Sequence, residues 1–323
     1  MKRRDFIAGL GGAAAWPHGL LAQSRRTPAR LGFVPLGSPD NKYDQSLVEA
    51  FRRGLRQLDL VEGRDIQLDV AWPSRDPYQT VSEVMRRGAD LLITCGSSAS
   101  VAAKEQVSTI PILFLSVGDP IAMGLAETFS HPGSNATGFS DNLADLSGKL
   151  VDLTSRFPQG SIDYLWYTAW PDGQNRYDAT EQAAQAVNMK FRSKGIADIE
   201  ELDSALSAIR ENGSQMVIVQ PSPFTYGQRK RIIASAMKAG LGTIYAFPVA
   251  AREGALIGYG PDYIHMYSRA PIYVDRILKG TKPADLPVEQ PTKVELLVNV
   301  STAKTIGIEL PLSLLVRADE VIE

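Results

Sequence analysis

Two polar turns contain the residues with the clearest capacity for binding chemistry. Ser97 and Ser98 follow the apolar run 91–94. Asp119 follows the apolar run 112–115. A carboxylate at the end of a strand can receive an ammonium or amide N–H of a ligand through a charge-assisted hydrogen bond. A Gly-Ser-Ser turn before a helix can bind a phosphate or carboxylate through its backbone N–H groups.

Each of these residues also has a structural interpretation. Asp119 can cap a helix that begins at Pro120, and Ser98 can cap the helix predicted at 101–107. Both roles stay open for both residues. Cys95 is the single cysteine and has no histidine near it in the sequence, so a small buried side chain explains it better than a nucleophile. One thiol cannot form an internal disulfide, so stability must come from packing.

The remaining sequence lacks the spacings of catalytic and metal sites. The three histidines, His18, His131 and His265, are far apart and form no His-x-x-x-His pair. There is no Cys-x-x-Cys pair, no Gly-x-Ser-x-Gly elbow and no Walker loop. We therefore expect no catalytic residues, no metal and no cofactor.

The polar turns follow short apolar runs that alternate with segments of helical periodicity. Continuous apolar runs are typical of strands buried on both faces of a parallel sheet. The predicted strands are 31–36, 66–70, 91–94, 112–115, 136–139, 162–167, 189–193, 216–219, 243–247, 255–258 and 295–299. The predicted helices include 77–87, 101–107, 121–129, 143–157, 174–187, 199–210, 229–238 and 262–279. Neighbouring parallel strands end at one edge of the sheet, so the turns should converge on one small molecule.

The alternation occurs in two successive series, which predicts two α/β lobes. The turn 220–223 ends its strand as the turn 118–120 ends its counterpart in the first series. Trp170 lies in the loop 168–173 at the predicted edge of the second lobe, where an aromatic ring can stack on a ligand. Hinged lobes can close around a ligand. A two-domain enzyme is compatible with the same pattern.

Length and composition limit the classes of function. With 323 residues, of which 44% are hydrophobic, the chain can bury a sizeable core in about two domains. The formal net charge of −2 and the absence of basic clusters interleaved with aromatic residues exclude a nucleic-acid partner. After the N-terminus no uncharged apolar run reaches the roughly 18 residues of a membrane span.

Residues 1–29 predict an export signal and a short linker. A basic start at 1–4 precedes the apolar segment 7–21, and cleavage is expected near Ala22–Ser24. Arg3 and Arg4 have the twin-arginine order, although such a pair alone does not decide the export route. A disordered basic tail is the alternative. No cysteine follows the apolar segment, so no lipid anchor is expected and the mature protein should be free in the periplasm.

Five segments carry a resemblance to a known family. They are 3–17, 49–66, 108–140, 259–311 and 314–323, with strings such as SVGDP and LLVRADEVIE. In these segments the chain resembles the exported substrate-binding proteins of ATP-binding-cassette importers. The bacterial family in question has characterised members that bind tryptophan and other aromatic amino acids. The similarity extends over nearly the whole chain.

The resemblance implies a type I periplasmic-binding-protein fold without catalysis. Two Rossmann-like lobes with parallel sheets would be joined by a three-strand hinge. The implied first lobe comprises 30–141 plus about 255–285, and the implied second lobe comprises 142–254 plus about 286–323.

The resemblance also implies ligand contacts from strand-end turns in both lobes. In the first lobe these are Gly37, Ser38, Gly96, Ser97, Ser98, Val117, Gly118, Asp119 and Pro120. In the second they are Gln220, Pro221, Ser222, Phe247, Pro248 and the turn Tyr259, Gly260, Pro261 and Asp262. We expect Asp119 and the Ser97-Ser98 turn to hold a polar head group. Trp170, Tyr43 and Phe247 would cover an apolar or ring portion.

Two segments that border the cleft depart from the common pattern of the family. The segment 164–176 reads YLWYTAWPDGQNR, where relatives more often resemble VLWNPANP. The segment 95–98 reads CGSS, where a plainer Gly/Ala loop is usual. The ligand of a relative therefore cannot simply be transferred to this chain.

The predicted function is the periplasmic solute-binding component of an ABC importer. It would act as a monomer that captures an amino acid or aromatic compound and docks on a permease in the inner membrane, without inserting stably into the membrane. The alternative is a periplasmic ligand sensor that delivers its signal to a membrane partner. An enzyme on the same lobes would need a nucleophile and base pair that the sequence does not contain.

Overall fold

Residues 27–73, 76–141, 146–158, 160–170 and 173–323 are described by a computed structural model of the protein. The predicted export signal therefore lies outside the described residues, apart from 27–29 of its linker. None of the helices in the described part of the chain has the length and apolar character needed to span a membrane.

Twelve strands form two separate sheets in the described residues. The strands are β1 (Ala29–Val34), β2 (Ile66–Val70), β3 (Leu91–Cys95), β4 (Ile112–Val117), β5 (Ala136–Ser140), β6 (Ser161–Tyr167), β7 (Lys190–Ile196), β8 (Met216–Val219), β9 (Gly242–Tyr245), β10 (Ile257–Pro261), β11 (Val294–Asn299) and β12 (Glu320–Ile322). The first sheet has the order β2-β1-β3-β4-β5 and is parallel throughout. The second has the order β12-β11-β10-β9-β8-β6-β7, with only β10 and β11 antiparallel.

Helices connect the strands of both sheets. They are α1 (Lys42–Gln57), α2 (Pro77–Arg86), α3 (Ser97–Gln106), α4 (Ser147–Ser155), α5 (Gly173–Ala186), α6 (Leu202–Glu211), α7 (Pro223–Gly227), α8 (Arg229–Lys238), α9 (Val249–Arg252), α10 (Tyr263–Arg269), α11 (Pro271–Leu278), α12 (Val300–Ile306) and α13 (Leu312–Leu315). This alternation confirms the predicted two-lobed α/β fold with parallel sheets.

Helix α1 shows how sequence periodicity forms the core of the first lobe. Leu47, Phe51 and Leu55 recur every four residues, so they share one helix face, and all three are buried. The ring of Phe51 stacks on Phe33 of β1 with a centroid distance of 4.9 Å. The Asn41 side chain caps the helix by accepting hydrogen bonds from the N–H groups of its first turn. The packing holds the N-terminal end of α1 at the carboxyl edge of the sheet.

Successive elements of the described residues change lobe three times, as the predicted hinge requires. The first passage lies between β5 and α4, and the second is at Asp262 between β10 and α10. After α10 and α11 have packed on α1, residues around Glu289 pair with β5, and the third passage leads into β11. Because β10 is hydrogen-bonded in the second sheet, the second passage comes at 262 rather than near the predicted 255. The Glu289 pairing likewise moves the third passage a few residues beyond the predicted 286.

Two predicted helices differ in the structure. The segment 121–129 forms turns instead of a helix, because Gly124 adopts a left-handed φ of 67° and the Pro120 carbonyl accepts the N–H groups of Leu125 and Ala126 at 2.8 and 3.1 Å. The predicted helix 262–279 is divided into α10 and α11 at Ala270. The following residue, Pro271, has no N–H to continue the helical hydrogen bonds.

Candidate functional site

A small cavity lies where the carboxyl ends of the two sheets face each other. Its volume is about 30 Å³, which holds only a few water molecules. The first lobe contributes Leu36, Gly96, Ser97, Ser116, Gly118 and Asp141, and the second contributes Trp170, Arg176, Pro221, Ser222, Pro223, Tyr226 and Phe247. The cavity is therefore shared by the lobes, at the edge where open α/β sheets bind ligands.

The first lobe presents short polar residues from β3 and β4. Gly96 precedes α3 with a φ of 83°, a conformation that favours glycine, and it places Ser97 in the first turn of the helix. A bulge between Leu115 and Val117 interrupts the register of β4. Ser116, within this bulge, has a φ of 56° and is buried. Backbone strain of this kind is concentrated at functional sites, so the bulge is consistent with a binding role.

Asp141 supplies a carboxylate directly after β5. Its N–H donates to the Val117 carbonyl at 3.0 Å, and the Tyr263 hydroxyl donates to its Oδ2 at 3.1 Å. Only 3% of Asp141 is exposed. Burial, and next the negative charge of Asp141, raise the pKa of Tyr263, so that hydroxyl remains a donor. The carboxylate is thus held in a fixed orientation at the border between the lobes.

Arg176 brings a guanidinium to the cavity from the first turn of α5. Its Cζ lies 5.1 Å from the centre of the Trp170 ring, within the range of a cation–π interaction. A β-carbon at Gly118 would overlap Nη2 of Arg176, so the guanidinium reaches across the cleft to the backbone of the first lobe. Arg176 is 3% exposed. A planar guanidinium in this position is suited to binding a carboxylate through two hydrogen bonds.

Gln220 organises the loop that carries Trp170. Its Oε1 accepts the N–H of Tyr167 at 3.1 Å, and its Nε2 donates to the Gly173 carbonyl at 2.9 Å. The side chain therefore connects the end of β6 to the start of α5, on either side of Trp170. It was predicted as a ligand contact, but it is fully buried and does not line the cavity.

Ser222 and Tyr226 enter the cavity from α7. Ser222 begins this helix with a capping box, in which its Oγ accepts the N–H of Thr225 at 3.1 Å and Thr225 Oγ1 accepts the N–H of Ser222 at 3.0 Å. The ring of Tyr226 packs edge-on against Phe247 at 4.9 Å. These contacts give the second-lobe side of the cavity a rigid, partly aromatic wall.

A buried network of charged and polar groups joins the lobes next to the cavity. Asp44 Oδ1 from α1 accepts hydrogen bonds from Nη2 of Arg229 at 3.0 Å and from the Tyr226 hydroxyl at 2.8 Å. Arg229 also pairs with Glu253 at 2.6 Å, and Asn41 Nδ2 donates to Glu253 at 3.0 Å. The side chains of Asp44 and Arg229 are 1% and 2% exposed. Contact between the lobes thus buries an ion pair as well as the cavity.

Seven of the twenty predicted ligand contacts line the cavity, and the other thirteen do not. Those at the cavity are Gly96, Ser97, Gly118, Trp170, Pro221, Ser222 and Phe247. Those outside its lining are Gly37, Ser38, Tyr43, Ser98, Val117, Asp119, Pro120, Gln220, Pro248, Tyr259, Gly260, Pro261 and Asp262. The turn at Gly37 and Ser38 instead holds Asp44, because the N–H of Ser38 donates to Asp44 Oδ2 at 2.9 Å.

Several residues outside the lining have defined structural contacts. Asp119 Oδ1 accepts the N–H groups of Ile121 and Ala122 at 3.1 and 3.0 Å, which is the capping interpretation transferred from a helix to a turn. Asp262 caps α10 and pairs with Lys293 at 2.8 Å. Ser98 lies within α3 and Val117 within β4, while Tyr43 and Tyr259 pack partly buried against the core.

Cys95 lies at the end of β3, immediately before the cavity residues Gly96 and Ser97. Burial raises the pKa of its thiol to about 12, so the reactive thiolate is scarce at neutral pH. This supports its interpretation as a small buried side chain. In the described part of the chain, no group of three or more His, Cys, Asp or Glu residues could hold a metal ion.

The sequence interpretation missed six residues of the cavity, namely Leu36, Ser116, Pro223, Tyr226, Asp141 and Arg176. Asp141 follows its strand just as Asp119 follows β4, so the same rule applied to β5 would have found it. Arg176 is the last residue of the segment 164–176, which departs from the family pattern. That departure was the one available signal for Arg176.

Comparison with known proteins agrees with this architecture. The family profile of the ABC transporter substrate binding proteins matches residues 43–322, more than four-fifths of the chain. A tyrosine-binding protein of Clostridioides difficile is 24% identical over 274 residues, which cover 81% of this chain and 76% of that protein.

Two solved structures share the fold. The ABC domain from Streptococcus pneumonia in complex with L-Trp has a TM-score of 0.81 and 17% identity, and the match covers 92% of this chain and all of that one. A conserved domain protein from Vibrio cholerae has a TM-score of 0.79 and 22% identity over 91% of this chain and all of that one. The matched family is one of solute-binding proteins and not of enzymes. This chain belongs to the ABC transporter substrate-binding protein family.

Proposed function

We propose that the protein is the exported solute-binding component of an ABC importer. It captures an amino acid or a small aromatic compound between its lobes in the periplasm and delivers it to a permease in the inner membrane. The observation that carries this proposal is the cavity between the lobes, which combines hydroxyl groups, two opposite charges and aromatic rings. The names of similar proteins support the ligand class, since one is a tyrosine-binding protein and one was solved with L-Trp.

Binding requires the lobes to separate. The cavity of about 30 Å³ is too small for any amino acid, and its walls come from both lobes. Opening at the three chain passages would expose Ser97 and Asp141 on one side and Arg176 on the other, and closure would enclose the solute. Selectivity follows because a wrong solute leaves buried polar groups of the cavity without suitable partners.

Export rests on the predicted signal at 1–29, which the described residues do not cover apart from 27–29. Fractionation of cells that express the full chain tests this part of the proposal. We expect the protein in the periplasmic fraction, shortened near Ala22–Ser24. Retention of the full-length chain in the cytoplasm would contradict it.

Mass spectrometry of solutes released from the purified protein tests the proposed ligand. Thermal unfolding in the presence of the twenty amino acids, aromatic acids and purines provides a second readout. A ligand at about one hundred times its dissociation constant should stabilise the native state by about 2.7 kcal/mol. A released solute outside the amino acids and aromatic compounds would contradict the ligand class. Deletion of the gene should abolish uptake of the identified ligand, whereas unchanged uptake with retained binding would indicate sensing.

A further inference from the structure

Tyr226 belongs both to the wall of the cavity and to the buried network that joins the lobes. It lies in α7 of the second lobe, and only 1% of it is exposed. It lines the cavity, and its hydroxyl donates a hydrogen bond to Asp44 Oδ1 of the first lobe at 2.8 Å. One side chain therefore connects the place that a solute would occupy with a contact between the lobes.

Tyr226 also orients the second donor to the same carboxylate oxygen. Arg229 Nη1 donates to the Tyr226 carbonyl at 2.9 Å, and Arg229 Cζ lies 4.2 Å from the centre of the Tyr226 ring, within the range of a cation–π interaction. Nη2 of this guanidinium donates to Asp44 Oδ1 at 3.0 Å. Tyr226 thus supplies one of the two hydrogen bonds from the second lobe to Asp44 Oδ1 and orients the donor of the other.

The Tyr226 side chain is held in place before it meets Asp44. Its ring packs edge-on against Phe247 at 4.9 Å, and the capping box of Ser222 and Thr225 fixes the start of α7. A donor that is already oriented loses little conformational entropy when the lobes meet. Burial, and next the charge of Asp44, raise the pKa of the Tyr226 hydroxyl well above its usual value, so the hydroxyl keeps its proton.

The hydrogen bond between Tyr226 and Asp44 can exist only while the lobes are together, because the two residues belong to different lobes. A hydrogen bond to a charged acceptor is stronger than one between neutral groups. It therefore stabilises the closed arrangement against the separated one. Since a solute that requires closure gains whatever free energy favours closure, this hydroxyl can raise solute affinity without touching the solute.

We propose that Tyr226 is a positioning residue of the cleft that acts through Asp44. Its ring forms part of the wall around the solute, and its hydroxyl holds the lobes together and so slows the release of the solute. The role given to Tyr226 rests on the proposed function, since it concerns how the same cleft retains its solute.

Tyr226→Phe tests this role, because it keeps the ring and removes only the hydroxyl. The probe solute is whichever of the twenty amino acids, aromatic acids and purines raises the unfolding temperature of the unaltered protein most. We expect calorimetry to show at least about fivefold weaker binding of this probe. Stopped-flow measurements should assign most of the loss to faster dissociation, because the hydrogen bond forms after the first encounter. Unchanged affinity would overturn the proposal.

A double-mutant cycle with Asp44→Ala shows whether the hydroxyl acts through Asp44. When the carboxylate is absent the hydroxyl has lost its acceptor, so adding Tyr226→Phe should change the affinity for the probe by less than about twofold. Equal losses in both backgrounds would overturn the proposal, because the hydroxyl would then act on the solute or on the fold of the second lobe.

Distances between spin labels report the closed arrangement directly. Arg53→Cys in α1 and Lys238→Cys in α8 place one label on the exposed surface of each lobe, while the native Cys95 is buried. At a saturating concentration of the probe, we expect Tyr226→Phe to lower the fraction of molecules at the shorter, closed distance. A distance distribution identical to that of the unaltered protein would overturn the proposal.

Tyr245→Phe is the matched control. Tyr245 is fully buried in β9 of the same lobe but does not line the cavity, so we expect this variant to bind the probe and to close normally. An equal loss of affinity in Tyr245→Phe would overturn the specific role of Tyr226. Tight binding of the probe to Tyr226→Phe overturns this role alone and leaves importer function standing, whereas absence of binding by every compound to the unaltered protein overturns both.

Discussion

Asp44→Asn is the substitution that most directly tests how the lobes are held together. The Asp44 carboxylate accepts hydrogen bonds from Arg229 and Tyr226 across the lobe boundary and from Ser38 within its own lobe. Asparagine has the same shape but carries no charge. We expect the variant to favour separated lobes and to bind its ligand more weakly, although Asp44 does not line the cavity.

The size of the expected loss of affinity follows from the contacts that Arg229 keeps in the variant. A buried charge stripped of its partner typically costs about 3–5 kcal/mol. Arg229 would keep its pair with Glu253 at 2.6 Å, and opening of the lobes would return it to water. Both effects reduce the cost, so the loss of charge-assisted hydrogen bonds, about 1.5–3 kcal/mol, is the better guide. If binding and closure are coupled, affinity should fall about 10- to 150-fold, at about 1.4 kcal/mol per factor of ten.

Titration calorimetry and small-angle scattering on the same samples provide the assay. The radius of gyration of the ligand-bound variant should approach that of the unaltered protein, whereas the unbound variant should be more expanded. Asp152→Asn, which removes a partly exposed carboxylate paired with Lys149 and Arg156 inside the second lobe, is the matched control. Unchanged affinity and unchanged scattering of Asp44→Asn would refute the argument. So would a lower unfolding temperature without any change in affinity, because the pair would then stabilise the fold and not the closed arrangement.

Three further predictions concern single positions near the cavity. In Gly118→Ala the new methyl group would overlap the Arg176 guanidinium. We therefore expect calorimetry to show at least about tenfold weaker ligand binding, with a normal unfolding temperature. Unaltered affinity would contradict the close approach of Arg176 to Gly118. The Cys95 thiol, whose pKa burial raises to about 12, should resist a disulfide reagent at pH 8 until the protein unfolds, and rapid labelling of the native protein would show that the site is accessible. Asp119→Ala should lower the free energy of unfolding by about 1 kcal/mol in denaturant titrations, because the turn loses its cap, and should leave ligand affinity unchanged. A tenfold loss of affinity would instead support the head-group role predicted from the sequence.

Most of the fold could be predicted from the sequence because local patterns of apolar and turn residues determine its strands and helices. Strands β2 and β8 have the predicted bounds. The continuous apolar run of β8 is typical of a buried strand, and β2 alternates apolar and polar residues, which is typical of a half-buried strand. The prediction of a helix at 121–129 was wrong for a reason that is also local. Its composition suits a helix, but the left-handed Gly124 and the hydrogen bonds of the Pro120 carbonyl close a turn instead. Propensity alone could not weigh these contacts.

The site could be predicted from the sequence only in part, and the missed residues that lie in helices could not be found by the rule that found the others. Gly96, Ser97 and Ser222 lie within three residues of the ends of β3 and β8, so their place at the sheet edge follows from the strand assignment. Arg176 lies in a helix, where a charged side chain ordinarily faces solvent. It is buried only because another part of the chain covers it. The local sequence pattern around Arg176 does not predict that another part of the chain buries it.

Asp44 and Arg229 illustrate the same limit more strongly. They are 185 residues apart and belong to different lobes, yet each is almost fully buried by the other's surroundings. In the proposed closure, the motion that buries this pair also encloses the cavity, so both would be dehydrated together. A solute that leaves a buried polar group of the cavity without a hydrogen-bond partner makes closure more costly, and that cost opposes the Asp44 and Arg229 contact directly. Discrimination among solutes is therefore expected in the closed population as well as in the first encounter, and Asp44→Asn should weaken the binding of well-matched and poorly matched solutes by similar factors.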